Sequence, residues 1–329
     1  MILRILTGLI LTASVALAQQ GIPSTVKFRV SDETGSPVTN AALDGCFLDF
    51  SQSGARTRFN GFTDTNGIFI AKGETVLGVY ARFTRDGYYT TTVKQTIEYT
   101  RRADGKGYER IDRWDREIPV LFKRIRNPIP MYARHVDNPY VSAFERVGKY
   151  SLGRTSSFDI VEGTFLPPYG KGQVDDIAFT WKMTIQSKDG DGLAVDYDTL
   201  CEIRMTNIVD GICRGKPDGA ENGHLGSAYF SAYEAPAEGY TNVISFYRSV
   251  RGTKVESNDD KHYLYYFRIR TQTNEMGQVT NAFYGRICGQ INGSFRYYLN
   301  PTPNDRNVEF DPKHNLYTNL GEFEQVHGP

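Results

Sequence analysis

The sequence predicts an all-β protein with two domains. Short stretches in which apolar and polar residues alternate recur along the chain, and clusters of glycine, asparagine and aspartate separate them. Tyrosine and phenylalanine, which suit the surface of a sheet, occur 21 and 19 times. A chain of 329 residues is longer than one domain of average size, so two domains are expected.

The chain begins with a segment that is typical of a signal peptide, residues 1–18. One basic residue, Arg4, precedes an apolar run, and the run ends in Ala16-Leu17-Ala18, the small-x-small pattern of a signal peptidase site. A membrane anchor or a buried helix is the alternative, but a spanning helix needs roughly 20 apolar residues. We therefore expect an exported protein with no membrane span, in the periplasm or outside the cell.

The charge balance bears on the kind of partner. The chain has 38 basic and 38 acidic residues, so its formal net charge at pH 7 is zero. A neutral chain has no overall field that would attract nucleic acid or an anionic membrane. The partner is unknown from the sequence, and a protein or glycan surface is favoured over nucleic acid.

The first predicted domain covers residues 25–123 and consists of short strands. Apolar and polar residues alternate, or apolar residues dominate, in the stretches 26–30, 46–50, 63–69, 76–83, 88–97 and 118–122. The dipeptide Asn66-Gly67 supplies the positive φ that a tight turn requires. Six or seven strands at this spacing predict a β-sandwich.

Three motifs in this domain carry a resemblance to a known family. They are Val30-x-Asp32-x-x-Gly35-x-Pro37-Val38-x-x-Ala41, Thr63-Asp64-x-Asn66-Gly67-x-Phe69 and Asp86-Gly87-Tyr88. This part of the chain resembles the carboxypeptidase regulatory-like domain, although the distance from Ala41 to Thr63 is longer than usual. The resemblance implies a seven-stranded transthyretin-like sandwich, which fold classifications group with carbohydrate-binding-like folds. It implies a fold rather than an activity.

A proline-rich strap, residues 124–134, separates this domain from the second, residues 135–329. Pro128 and Pro130 hold the strap extended. The second domain resembles uncharacterised secreted bacterial proteins, which adds no chemistry. Alternation in residues 262–270 and 279–287 predicts an antiparallel strand pair, so a larger antiparallel sandwich or jelly roll is expected, with one short helix near residues 141–147.

One predicted strand of the second domain suggests a ligand-binding face. Tyr266, Arg268 and Arg270 fall on the same side of the strand and could form a platform for a sugar or a peptide. Ordinary strand packing, with arginine stems over aromatic rings, is the alternative and is favoured.

A group of aspartates suggests a calcium site. Asp189, Asp191, Asp196 and Asp198 lie close together in the sequence, and calcium prefers such carboxylate oxygens. A solvated turn is the favoured alternative, because turns collect aspartate for backbone reasons. No other cofactor is expected.

The spacing of the cysteines permits a disulfide bond but does not require one. In an exported protein, Cys201 and Cys213, twelve positions apart around a turn, could form a bridge. A pair of free, buried thiols is equally consistent with the spacing.

The catalytic motifs tested are absent from the sequence. None of the five histidines has glutamate three positions later, which excludes a zinc carboxypeptidase site, and no phosphate-binding loop or Gly-x-Ser-x-Gly motif occurs. No catalytic residue is therefore named. The sequence favours an exported, non-catalytic interaction or accessory protein. A carbohydrate-binding module is the first alternative, and an extracellular hydrolase with a site scattered along the sequence is the second.

Overall fold

A computed structural model describes residues 21–49, 54–103, 105, 109, 111–136, 144–147, 150–153, 155–190, 194–218, 226–258 and 263–329. The predicted signal peptide lies outside these residues. The described chain confirms the all-β prediction: its one helical element is a 3₁₀ turn at Glu322–Glu324. Within it, no helix has the length and hydropathy to cross a membrane.

The chain divides into two compact units. The first consists of residues 1–125 and 224–230, and the second of residues 126–223 and 231–329. The first 125 residues supply seven strands, as predicted for the N-terminal sandwich: β1 (Ile22–Asp32), β2 (Ala42–Leu48), β3 (Ala55–Phe62), β4 (Ile68–Thr75), β5 (Gly78–Thr84), β6 (Thr91–Thr96) and β7 (Trp114–Phe122).

The remaining strands follow in chain order: β8 (Ile129–Val136), β9 (Phe144–Val147), β10 (Tyr150–Gly153), β11 (Thr155–Asp159), β12 (Thr164–Phe165), β13 (Ile177–Lys188), β14 (Ala194–Met205), β15 (Gly211–Arg214), β16 (Gly226–Ser227), β17 (Val243–Arg251), β18 (Lys254–Ser257), β19 (Leu264–Thr273), β20 (Val279–Gly289), β21 (Phe295–Leu299) and β22 (Phe310–Asn315). All of them except β16 belong to the second unit.

The first unit is a sandwich of a three-stranded and a five-stranded sheet. The strand orders are β4-β1-β7 and β16-β6-β5-β2-β3, so the short β16 extends the larger sheet along β6. Phe28 of β1, Phe47 of β2 and Phe83 of β5 are fully buried between the two sheets. Alternation along each strand therefore leaves every second residue of the five-stranded sheet on its outer face.

The turn predicted at Asn66-Gly67 is confirmed. Gly67 has a φ of +72°, and a Cβ atom there would lie 2.4 Å from the carbonyl oxygen of Val30. Only glycine satisfies both conditions, since a side chain would be strained in this conformation and would clash with the backbone.

The second unit is the predicted larger sandwich. Its two six-stranded sheets have the orders β12-β11-β13-β14-β17-β18 and β15-β19-β20-β21-β8-β22. The predicted strand pair is β19 and β20, which are antiparallel neighbours. Side chains from both sheets, among them Phe179, Ile203 and Phe267, form one core.

One expectation for this unit differs from the structure. The helix expected near residues 141–147 is wrong, since Phe144–Val147 is strand β9 and pairs with β10. The strap is extended, as Pro128 and Pro130 suggest, and its last residues begin β8, which lies between β21 and β22. The backbone N–H groups of Arg126 and Asn127 donate to the carboxylate of Glu309, which holds the strap at the start of that strand.

The disulfide between Cys201 and Cys213 is not formed, and all four cysteines are free thiols. Cys201 lies on β14 and points into the core, whereas Cys213 lies on β15 of the other sheet, next to the core residue Ile212. Successive residues of a strand point to opposite faces, so Cys213 points away from Cys201. A disulfide needs Cα atoms closer than about 7 Å and Cβ atoms that face each other.

Candidate functional site

The outer face of the five-stranded sheet in the first unit collects charged side chains in an ordered pattern. Strand register places Arg58, Cys46, Tyr80 and Lys94 in one row across β3, β2, β5 and β6. The next row consists of Asn60, Asp44, Arg82 and Thr92. We call these eight residues the basic face.

The cations of the basic face form no ion pair with another residue that the structure describes. The side chains of Arg58, Arg82 and Lys94 are exposed, and none makes a hydrogen bond or ion pair with another described residue. Asp44 is the single carboxylate of the two rows, and it too is exposed without an ion pair to a described residue. Three positive charges against one negative charge make this face cationic on a chain whose total charge is zero.

Two less polar side chains lie between these charges. Tyr80 and Cys46 are half-buried and adjacent in the same row. Burial raises the pKa of the Cys46 thiol. The charges of Asp44 and Asp49 raise this pKa further, whereas the charge of Arg58 lowers it. The thiol is therefore neutral at neutral pH, and the centre of the row presents a ring and an uncharged sulfur between two cations.

An open depression of about 670 Å³ continues the face toward the end of the sheet. It is lined by Asn40, Ala42, Thr84, Arg85, Asp86, Tyr88 and Thr90. Ala42 and Thr84 occupy the row that follows Asp44 and Arg82, so face and depression are continuous. The depression has one carboxylate, Asp86, among its lining residues.

An ion pair fixes the wall of this depression. The guanidinium groups of Arg85 and Arg124 lie 5.5 and 5.2 Å from the ring centroid of Tyr88, within cation–π range. Arg124 Nη2 donates to Asp32 Oδ2 at 2.6 Å. Asp32 Oδ1 accepts hydrogen bonds from the backbone N–H groups of Thr34 and Ser36. Burial opposes ionisation, but the hydrogen bonds from Thr34, Arg124 and Ser36 outweigh it and lower the pKa of Asp32 to about 2.

We expect Asp32→Asn to reduce the stability of the first unit by about 1 to 2 kcal/mol at pH 7, because hydrogen bonds to a charged group are lost. Since the folded pKa is about 2 and the ordinary value 3.8, this contribution is complete above about pH 4 and disappears as the pH falls toward 2. Urea unfolding of both proteins at pH 7, 4 and 2.5 measures it. Asp44→Asn, at an exposed carboxylate without a partner among described residues, is the control. A gap between wild type and Asp32→Asn that stayed constant over this range would contradict the prediction.

The platform predicted on β19 is covered in the structure. Tyr266 is 3% exposed, and its hydroxyl accepts a hydrogen bond from the backbone N–H of Ala232 at 2.8 Å. Arg268 lies over the ring of Tyr240 and donates to the carbonyl oxygen of Val209. These contacts are those of strand packing, so Tyr266 offers no ring face to a ligand here.

Arg270 is held in a network of carboxylates. Its guanidinium donates to Asp176 through Nε and Nη2, each at 3.0 Å, and to Asp159 at 2.9 Å. Asp159 also accepts four backbone N–H groups from the segments that flank it. Burial alone would raise the pKa of Asp159, but these backbone donors and Arg270 lower it. Arg270 therefore joins a loop to a strand rather than facing a ligand.

The aspartates of the calcium prediction make contacts with protein groups. Asp196 accepts hydrogen bonds from the Ser187 hydroxyl and the Gly252 backbone, and Asp198 forms an ion pair with Arg251 at 2.8 Å. Asp189 is exposed, and Asp191 lies outside the described residues. The described residues contain no cluster of three or more metal-ligating side chains. Calcium binding stays a prediction.

The basic face was missed from the sequence although a signal for it exists. The signal is the set of residues at every second position of three strands: 58 and 60 on β3, 44 and 46 on β2, and 80 and 82 on β5. Alternation shows that such residues share a face of their own strand, but not which strands are neighbours. The pairing of β3 with β2, β2 with β5 and β5 with β6 brings them together.

Two comparisons with known proteins found no match to the chain. No protein-family model matches it, and no curated protein matches it. Thus the resemblance to the carboxypeptidase regulatory-like domain stays a prediction.

Solved structures match only at low similarity. A 3-chlorocatechol 1,2-dioxygenase from Rhodococcus opacus is 13% identical over 32% of this chain and 61% of its own length, with a TM-score of 0.24. BcpA, the major pilin subunit of Bacillus cereus, is 11% identical over 87% of this chain and 99% of its own, with a TM-score of 0.23. A protein from Bacteroides uniformis provisionally described as carbohydrate binding is 8% identical over 86% of this chain and 98% of its own length, with a TM-score of 0.19. At these values no ligand or activity transfers to this chain.

Proposed function

We propose that this is an exported, non-catalytic interaction protein that uses the basic face of its first unit to hold an extracellular polymer. The observation that carries the proposal is the set of three exposed cations, Arg58, Arg82 and Lys94, which share a face with Tyr80 and form no ion pair with another described residue. A protein gains nothing in stability from exposed like charges on neighbouring strands, because they repel one another. A ligand that supplies the missing partners would explain the arrangement.

The shape of the site favours binding over turnover. The basic face is the outer surface of a sheet, and the adjoining depression is open rather than enclosed. Glycoside hydrolysis needs two carboxyl groups on either side of the bond that is cleaved. The lining of the depression contains one carboxylate, Asp86, so the depression by itself lacks such a pair. An extended chain lying across the strands fits this surface better than a substrate enclosed by it.

The proposal predicts binding without cleavage. Calorimetric titration of the purified protein with soluble dextran, xylan, polygalacturonate and alginate should detect binding to at least one polysaccharide, and a reducing-end assay on the bound polymer should detect no new chain ends. Tyr80→Ala should weaken binding about twofold to tenfold, the range of an aromatic contact. Tyr247→Ala, at a tyrosine that is 48% exposed in the second unit, is the matched control. New chain ends, or no binding to any of the four polymers, would overturn the proposal.

A further inference from the structure

We infer that the ligand of the basic face is a polysaccharide containing uronic acid residues. This inference rests on the proposed function, and it adds the chemical class of the ligand. Its physical basis is the placement of Arg58, Arg82 and Lys94 around a neutral aromatic centre, together with the single carboxylate of Asp44 among them.

The width of the cation set suits an oligomer. Arg58 and Lys94 are at the two ends of a row that crosses β3, β2, β5 and β6. Three strand intervals separate their backbones by about 14 Å. Arg82 lies in the next row, two residues further along β5, which is about 7 Å away. A chain of several sugar residues can reach three anchor points at these separations.

The middle of the row suits a sugar ring. Tyr80 lies directly across from Lys94 on one side and from Cys46 on the other. A tyrosine ring packs against the apolar face of a pyranose, while its hydroxyl can bond to polar groups. A polymer could therefore place a ring over Tyr80 and direct its charged substituents toward the cations on both sides.

The charged groups of the face favour carboxylates at moderate density. An arginine guanidinium presents paired donors that match a carboxylate, and two of the three cations are arginines. Asp44, beside Arg82 in the same row, repels a densely charged chain but can accept hydrogen bonds from sugar hydroxyls. A uronic acid polymer, which bears one carboxylate on each acidic residue, satisfies both conditions better than a heavily sulfated chain.

Nucleic acid fits the protein less well. The chain has equal numbers of basic and acidic residues, so no overall field raises the local concentration of a polyanion. Nucleic-acid affinity grows with the number of phosphates that the protein neutralises. Three cations, partly offset by Asp44, neutralise few of them.

The test compares acidic oligosaccharides with neutral ones on charge variants of the face. We expect oligogalacturonate to bind wild type, and Arg58→Ala, Arg82→Ala and Lys94→Ala each to weaken this binding about threefold or more. The controls are Lys72→Ala, on the other sheet of the first unit, and Arg204→Ala, on the second unit. Both residues are exposed cations that pair with no other described residue, so both variants should bind as wild type does. Higher ionic strength should weaken the interaction.

Two further measurements locate the bound ligand and test the role of its negative charge. Bound oligogalacturonate should slow alkylation of Cys46, as measured by mass spectrometry of its peptide, because this half-buried thiol lies between Arg58 and Tyr80 in one row of the face. Asp44→Asn should tighten binding of the acidic ligand about twofold, since a repulsive charge is removed.

The outcomes separate this inference from the function on which it rests. Binding of dextran or xylan that depends on Tyr80 and ignores the three cations would overturn the uronic acid assignment and leave the proposed function in place. Tighter binding of dextran sulfate or single-stranded DNA than of oligogalacturonate would overturn the assignment as well. Oligogalacturonate binding without protection of Cys46 would show that the ligand lies elsewhere. Binding to none of these polymers would overturn both.

Discussion

Replacing Arg270 by alanine is expected to lower the free energy of unfolding of the second unit by about 3 to 5 kcal/mol, the cost of removing one partner from a buried ion pair. Asp159 and Asp176 are 1% and 2% exposed, and Arg270 is the basic group that contacts both of them. Without the guanidinium, two carboxylates remain close together in the protein interior. Backbone donors still reach Asp159, but the repulsion between the two charges is no longer compensated.

The effect can be measured on the second unit separately. The chain has two tryptophans, Trp114 in the first unit and Trp181 in the second. In a Trp114→Phe background, the fluorescence of Trp181 follows urea unfolding of the second unit. Arg204→Ala, at an exposed arginine of β14, should change stability by less than about 0.5 kcal/mol.

A lysine variant at position 270 separates the contribution of the positive charge from that of the planar guanidinium. Arg270→Lys keeps the positive charge but loses the planar fork that reaches Asp159 and Asp176 together, so we expect a smaller loss than for alanine. A loss below about 1 kcal/mol for Arg270→Ala would show that the network contributes little and would contradict the prediction.

Replacing Phe28 by alanine is expected to cost the first unit about 3 to 5 kcal/mol, the range for removing a buried aromatic side chain. Phe28 is fully buried in β1, and its ring lies 5.3 Å from that of Phe83 and 6.1 Å from that of Phe59. These rings come from both sheets of the sandwich. Removing the Phe28 ring would therefore leave a cavity between the five-stranded sheet, which carries the basic face, and the three-stranded sheet packed against it.

The control for this prediction is a phenylalanine on the outer face of the five-stranded sheet. Phe62, at the end of β3, is 63% exposed, so Phe62→Ala should change the unfolding free energy by less than about 0.5 kcal/mol. In a Trp181→Phe background, Trp114 fluorescence reports on this unit. Equal losses for Phe28→Ala and Phe62→Ala would contradict the structure of the core.

Much of the fold could be predicted because local patterns agree with the tertiary structure. Alternation located β19 and β20, and Asn66-Gly67 located a turn whose glycine has the required positive φ. Local patterns failed where another part of the chain determines the conformation. Phe144–Val147 is a strand because it pairs with β10, although its residues suggested a helix.

The same distinction applies to the candidate site. The sequence placed Tyr266, Arg268 and Arg270 on one face of a strand, but other segments cover that face. It placed Cys201 and Cys213 at a suitable spacing, but they lie in different sheets with one thiol outside the core. Sequence spacing does not show what packs above a strand.

By itself, the sequence determined the all-β class, the two sandwiches and the motifs that are absent. Period-two alternation and turn residues act over a few positions, so these features can be recognised locally. Only the tertiary structure decided which charged side chains meet. Arg58, Arg82 and Lys94 come from three strands, and a shift of register by one residue would turn a strand's outward side chains into the core. Register is set by the packing of Phe28, Phe47 and Phe83 between the sheets, and therefore by contacts between residues far apart in the chain.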